Sequence, residues 1–127
     1  MTPYENRFYA RTEQPVVLFA RIENAENGEL LDPSDVTAIT LDAWGIGSLD
    51  GRRKSAVPGH QRVALPLSTL LSQTVTSVAF PLGYNYRFAP NVRTKPLFPQ
   101  TGLYEVVIKI ELNDQNPIVL TYRFEVE

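Results

Sequence analysis

Residues 103–126 read LYEVVIKIELNDQNPIVLTYRFEV, two runs that alternate apolar and polar side chains at period two around a polar turn, Asn113 to Asn116. In the first run Tyr104, Val106, Ile108, Ile110 and Leu112 share one face, while Glu105, Lys109 and Glu111 decorate the other. In the second run Ile118, Leu120, Tyr122, Phe124 and Val126 lie together against Thr121, Arg123 and Glu125. Strands covered on both faces, as in parallel sheets, read as continuous apolar runs; one wet and one dry side per strand marks an antiparallel sheet with a core on one face. The stretch predicts a β-hairpin that walls one side of an all-β domain.

Working outward, Val16 to Ile22 sets Val16, Leu18, Ala20 and Ile22 on one side and runs into the turn-rich Glu23 to Glu29 with its Asn27-Gly28 pair. Asp32-Pro33-Ser34-Asp35 is a tight turn, because proline presets φ and the acidic side chains can bond nearby amides. Val36 to Trp44 then alternates Ile39, Leu41 and Ala43 against Thr40, Asp42 and Trp44. Arg7 to Ala10, Arg62 to Leu65 and Ser77 to Phe80 are shorter strands, and Leu67 to Gln73 is expected to form one helical turn capped by Ser68. Gly45 to Gln61 and Pro81 to Pro99, rich in glycine and proline respectively, are expected as irregular surface connections. About seven strands with long irregular loops result, in a single domain over residues 1–127.

The 127 residues carry a net charge of −2 with a pI near 5.4, which gives no overall attraction to nucleic acid or acidic membranes. Cysteine is absent, which excludes a disulfide framework, a thiolate nucleophile and a thiolate zinc site. No basic-then-apolar leader opens the chain and no apolar window reaches the length of a membrane span. The expectation is synthesis in a reducing cytoplasm without a signal peptide, compatible with final residence in a virion assembled there.

The segment Gln100-Thr101-Gly102-Leu103-Tyr104-Glu105-Val106 resembles the tyrosine corner of immunoglobulin-like domains, in which Asp-x-Gly-x-Tyr-x-Cys opens strand F. Gly102 and Tyr104 match, Gln100 stands at the aspartate position, and Val106 stands at the cysteine position. The resemblance implies an antiparallel immunoglobulin-like sandwich in which the final hairpin is strands F and G, Val16 to Ile22 is strand B and Val36 to Trp44 is strand C. It makes Gly102, Tyr104 and Trp44 structural residues, although Trp44 alternates away from Ile39 and Leu41 and needs a β-bulge near Gly45 to reach the core. The layout of residues 15–44 followed by residues 98–127 is also similar to small sandwich modules of bacteriophage and phage-like particles, which implies a decoration, neck, tail or baseplate subunit.

Residues for catalysis are sparse. The sole histidine, His60, sits between Gly59 and Gln61 in an expected loop and reads as solvated. Asp32 and Asp35 read as turn caps, because the further oxygen ligands of a calcium loop are not spaced around them. No glycine-rich loop leads into a helix to cradle a phosphate. No cofactor, metal or enzyme activity is implied.

Charge is distributed unevenly along the chain. Residues 1–50 hold nine acidic and three basic residues, net −6; residues 51–99 hold seven basic and no acidic residues, net +7; residues 100–127 are net −3. Interleaved strands would mix these signs on the folded surface, whereas docking of the basic segment on an acidic neighbour, including another copy, would use them. Arg52, Arg53 and Lys54 form one candidate contact loop; Tyr84, Tyr86, Arg87, Phe88, Arg93 and Lys95 form a second, with the aromatic and arginine chemistry of interface hot spots. The same aromatics would equally cover an open end of the sandwich. Cations and aromatics together also suit a nucleic acid, but the total charge argues against strong phosphate binding. The expected function is a non-enzymatic structural or interaction subunit that binds protein neighbours in several copies, with a carbohydrate- or ligand-binding sandwich module as the alternative.

Overall fold

Alternation in the C-terminal runs becomes a long antiparallel hairpin, β8 (Gly102–Leu112) and β9 (Gln115–Val126). In the computed structural model the described residues are 4–10, 16–24, 27–46, 53–76, 78, 81–89, 97–98, 102–113 and 115–126. The turn is tighter than expected, since Gln115 already pairs with Leu112 and a register shift lies between Ile110 and Leu112. Pro117 falls at that register shift, between the paired Gln115 and Ile118 of β9, where a missing N–H is tolerated; beyond it β9 pairs with β1 (Tyr4–Ala10), Leu120 opposite Tyr4. β1 runs parallel to β9, an exception in an otherwise antiparallel arrangement.

On the far side β8 pairs with β3 (Val36–Ile46), and the inner face is built from cross-strand rows. Ile39, Ile110 and Ile118 form one row; Leu41, Ile108 and Leu120 the next; Ala43, Val106 and Tyr122 a third, every member buried. The outer edge of β3 is taken first by β5 (Val63–Ala64) and then by β4 (Arg53–Ala56), which completes a six-stranded sheet ordered β1-β9-β8-β3-β4 with β5 beside β3. Arg53 to Ala56, within the expected surface loop Gly45 to Gln61, is therefore a sheet-edge strand.

A second sheet has the order β2-β7-β6, formed by β2 (Leu18–Ala20), β7 (Tyr84–Phe88) and β6 (Leu70–Val75). The helical turn expected over Leu67 to Gln73 is a short 3-10 turn, Leu67–Thr69, followed directly by β6, and its cap position is Pro66 rather than Ser68. Tyr84 to Phe88 is a strand and not an irregular connection; most of the expected Ser77 to Phe80 strand lies outside the described residues. Leu18, Ala20, Leu70 and Tyr86 join Leu31, Val57, Leu65, Leu97 and Phe98 and the rows of the larger sheet in one apolar core. Two mostly antiparallel sheets enclosing a dry interior make this an all-β sandwich.

The turn Pro33–Asp35 links the two sheets. Asp32 Oδ1 accepts from the Ser34 amide at 3.0 Å and the Ser34 hydroxyl at 2.9 Å, which holds its carboxyl below the usual carboxylate range. Asp32 therefore caps the turn, as the residue pattern predicts.

Candidate functional site

Arg53 and Lys54 open β4 at the edge of the six-stranded sheet, whereas Tyr84, Tyr86, Arg87 and Phe88 lie on β7, the central strand of the other sheet. The two candidate contact segments thus belong to different walls. Arg52, Arg93 and Lys95 lie outside the described residues.

Within β7 the residues divide by facing. Tyr86 is fully buried, opposite Ala20 on one side and Leu70 on the other, which makes it a core residue and corrects its assignment to a contact surface. Burial pushes its hydroxyl up to about 12, opposed by the nearby Thr69 hydroxyl. Tyr84 is also buried and stands outside the main core, its ring tilted against Phe19 with centroids 4.7 Å apart. Arg87 is exposed and directly opposite Phe19, while Phe88 is half-buried against the core. Arg21 adds a second cation at this wall, its guanidinium donating to the Leu82 carbonyl at 3.0 Å and to Glu23 at 3.2 Å. The contact chemistry of this wall is accordingly Phe19, Arg21 and Arg87.

The outer face of the six-stranded sheet carries a second constellation. Trp44 stands opposite Glu105 in the β3–β8 register, and Glu105 opposite Arg123 in the β8–β9 register. An Arg123 Nη2–Glu105 Oε2 ion pair of 3.3 Å leaves Glu105 only 5% exposed, although it sits on the side of β8 that faces away from the core. The register shift in β3 falls after Trp44, between Gly45 and Ile46, so it does not turn the indole inward. Trp44 is half-buried on the outer face, where its alternation against Ile39 and Leu41 puts it, and Leu41 and Ala43 fill the core on the other side. Gly102 has φ +141, which favours glycine, and Tyr104 is buried with its ring 5.1 Å from that of Phe98.

Asn85 escaped the sequence reading, and Tyr122, read on the dry face, gains a polar partner the alternation did not show. Asn85 is fully buried and bonds the Ile22 backbone twice; Tyr122 donates its hydroxyl across the sandwich to the Phe19 carbonyl of β2 at 3.0 Å. Burial, reinforced by Tyr86 nearby, raises the Tyr122 hydroxyl well above the ordinary tyrosine range. The available signal for Asn85 was an amide between two tyrosines in an otherwise uncharged stretch.

His60 is buried at 8% exposure rather than solvated. The Pro58-Gly59 turn, with Gly59 at φ +78, folds the chain back onto β3, so that the His60 carbonyl accepts from the Ala43 amide at 2.8 Å. Among the described residues no three His, Asp or Glu side chains converge as metal ligands, and no helix is long and apolar enough to cross a membrane. No family model, curated protein or solved structure matches the chain significantly.

Proposed function

We propose that this chain is a non-enzymatic structural or interaction subunit of immunoglobulin-like topology, binding protein neighbours through its outer sheet faces in a multicopy particle such as a phage virion. With β2, β3, β8 and β9 taken as strands B, C, F and G, the strand order supports that topology: C, F and G share one sheet with an added strand beside C, and B shares the other with two partners. The particle setting is supported by the similarity in layout to phage modules.

The observation that carries the reading is the placement of aromatic and arginine side chains together on both outward faces: Phe19 and Arg87 on one, Trp44 and Arg123 on the other. Such pairs dominate protein interfaces because large rigid rings and planar guanidinium groups give much contact at little conformational cost. Interior polar groups, by contrast, are committed to the fold: Asn85 to Ile22 and Tyr122 to Phe19.

Light scattering across a salt series, with particle components supplied as partners, tests the reading. Association that weakens with salt and with Arg87→Glu is expected. A chain that joins neither itself nor any particle component at any ionic strength overturns it.

Trp44 beside Asp42 on the outer face favours a second reading, a carbohydrate-binding module, since a half-buried indole flanked by a carboxylate suits a sugar ring. Glycan-array binding that disappears in Trp44→Ala would select this reading over the first.

A further inference from the structure

Ile22 and Leu31, both buried, form the base of a short hairpin: the Leu31 amide donates to the Ile22 carbonyl at 3.0 Å, Glu23 bridges Leu30, and the Asn24 amide donates to the Glu29 carbonyl at 2.7 Å. Its exposed end holds Asn27 and Gly28, the one Asn-Gly pair of the chain. Gly28 sits at φ +71, and apart from its chain neighbours nothing lies within 4 Å of where its Cβ would stand, so no side chain shields its peptide nitrogen. Asn27 Oδ1 accepts from the Glu29 amide at 2.9 Å, and the ring closed by this bond contains both the Asn27 Cγ and the Gly28 nitrogen. The same bond draws electron density from Cγ. An electrophile and a nucleophile held in one small ring react as an intramolecular pair. One contact opposes the reaction: the Gly28 amide donates to the Asn24 carbonyl at 2.8 Å, which occupies the proton that the nitrogen must lose before it attacks.

We propose that Asn27 is a modification site at which the chain converts its own side chain, gated by opening of this hairpin. The Gly28 nitrogen bonds to Cγ, the Cγ–Nδ2 bond breaks, and Nδ2 leaves as ammonia with the proton that Gly28 gave up. A cyclic imide results. Water then opens the imide: cleavage at Cγ gives aspartate, and cleavage at the main-chain carbonyl gives isoaspartate. Water is the one reagent consumed, and no oxidant or reductant takes part. Both products add a carboxylate close to Glu29, and isoaspartate also carries the main chain through one extra carbon between the Asn24–Glu29 and Ile22–Leu31 bonds that close the hairpin over the core.

The other asparagines lack this combination. Asn116 precedes Pro117, which has no N–H; Asn85 is fully buried with its amide bonded to Ile22; Asn6, Asn24, Asn91 and Asn113 each precede a residue with a side chain that crowds the nitrogen. The gate follows from local opening, which frees the Gly28 amide without unfolding the rest of the chain.

Peptide mapping by mass spectrometry tests both parts on the full chain, aged at mildly alkaline pH in buffer and in unfolding guanidinium chloride. Aspartate and isoaspartate are expected at position 27 ahead of every other asparagine, several-fold more slowly in buffer than in denaturant, and Gly28→Ala is expected to slow both. Asn85→Leu removes the side-chain clamp on Ile22 and is expected to raise the rate in buffer towards the unfolded rate. Where that variant misfolds, denaturant below the unfolding transition loosens the hairpin of the unaltered chain and reads the same gate. An intact Asn27, or conversion led by another asparagine, overturns the site; equal rates in buffer and denaturant overturn the gate.

Discussion

The Asn85 side-chain amide takes the place of a strand neighbour for Ile22. Its Oδ1 accepts from the Ile22 amide at 2.6 Å and its Nδ2 donates to the Ile22 carbonyl at 2.8 Å, both groups being buried. The same carbonyl accepts from the Leu31 amide at 3.0 Å, which uses both lone pairs and ties the segment after β2 to the chain returning from the Asn27-Gly28 turn. β2 can therefore end at Ala20 while the chain stays sealed against the core through Ile22.

Replacing that amide tests the relationship directly. Asn85→Leu keeps the branched shape but orphans the Ile22 N–H, and is expected to cost about 2 kcal/mol in urea unfolding. Asn85→Asp is expected to cost more near neutral pH, since a carboxylate cannot donate to the carbonyl and buries an unpaired charge, and to recover stability on acidification. Equal stability of all three proteins would remove Asn85 from this role.

Tyr86 makes stability depend on alkaline pH. Its hydroxyl ionises near 10.0 when unfolded and about 12 when folded, so the folded state prefers the neutral form. The contribution is complete below the unfolded value and is lost as pH rises from there through the folded value. Tyr86→Phe is expected to flatten this decline, read as the difference between the two proteins in melting temperature over the same pH series.

Gly83 is required twice over. Its φ is +94, and a Cβ built there would fall 2.8 Å from Thr74 Cβ, where the bulged β6 lies over the turn. Gly83→Ala is expected to lose about 2 kcal/mol, with partial recovery in the double variant carrying Thr74→Gly, which removes the clash and leaves the backbone strain. Chemical denaturation of the two variants checks this.

The Glu105–Arg123 pair is expected to be unequal in its halves. Arg123→Ala leaves an almost fully buried carboxylate without that cation and should cost about 2 kcal/mol; removing both side chains should cost less than the sum of the single changes. A double-mutant cycle in urea measures the coupling, and additivity would show that the pair contributes nothing specific.

Period-two alternation alone determined the strands over residues 36–44 and 103–126 and their dry faces, because each such residue reports its own facing whatever its partners. Asp32 was legible for the same local reason: its cap needs only Ser34, two residues on. Which wall each strand joined was decided by the tertiary structure. Arg53 and Tyr84 are near in sequence pattern yet lie in different sheets, and Tyr86 and His60 are buried by β2, β6 and β3, segments remote from them along the chain. Trp44 remained outside because the register shift that would have turned it comes one residue too late. The contact surfaces share this dependence: the Phe19–Arg87 apposition and the Glu105–Arg123 ion pair each join different strands, and pairing across strands is set by the free energy of the whole packed chain, which no single segment encodes.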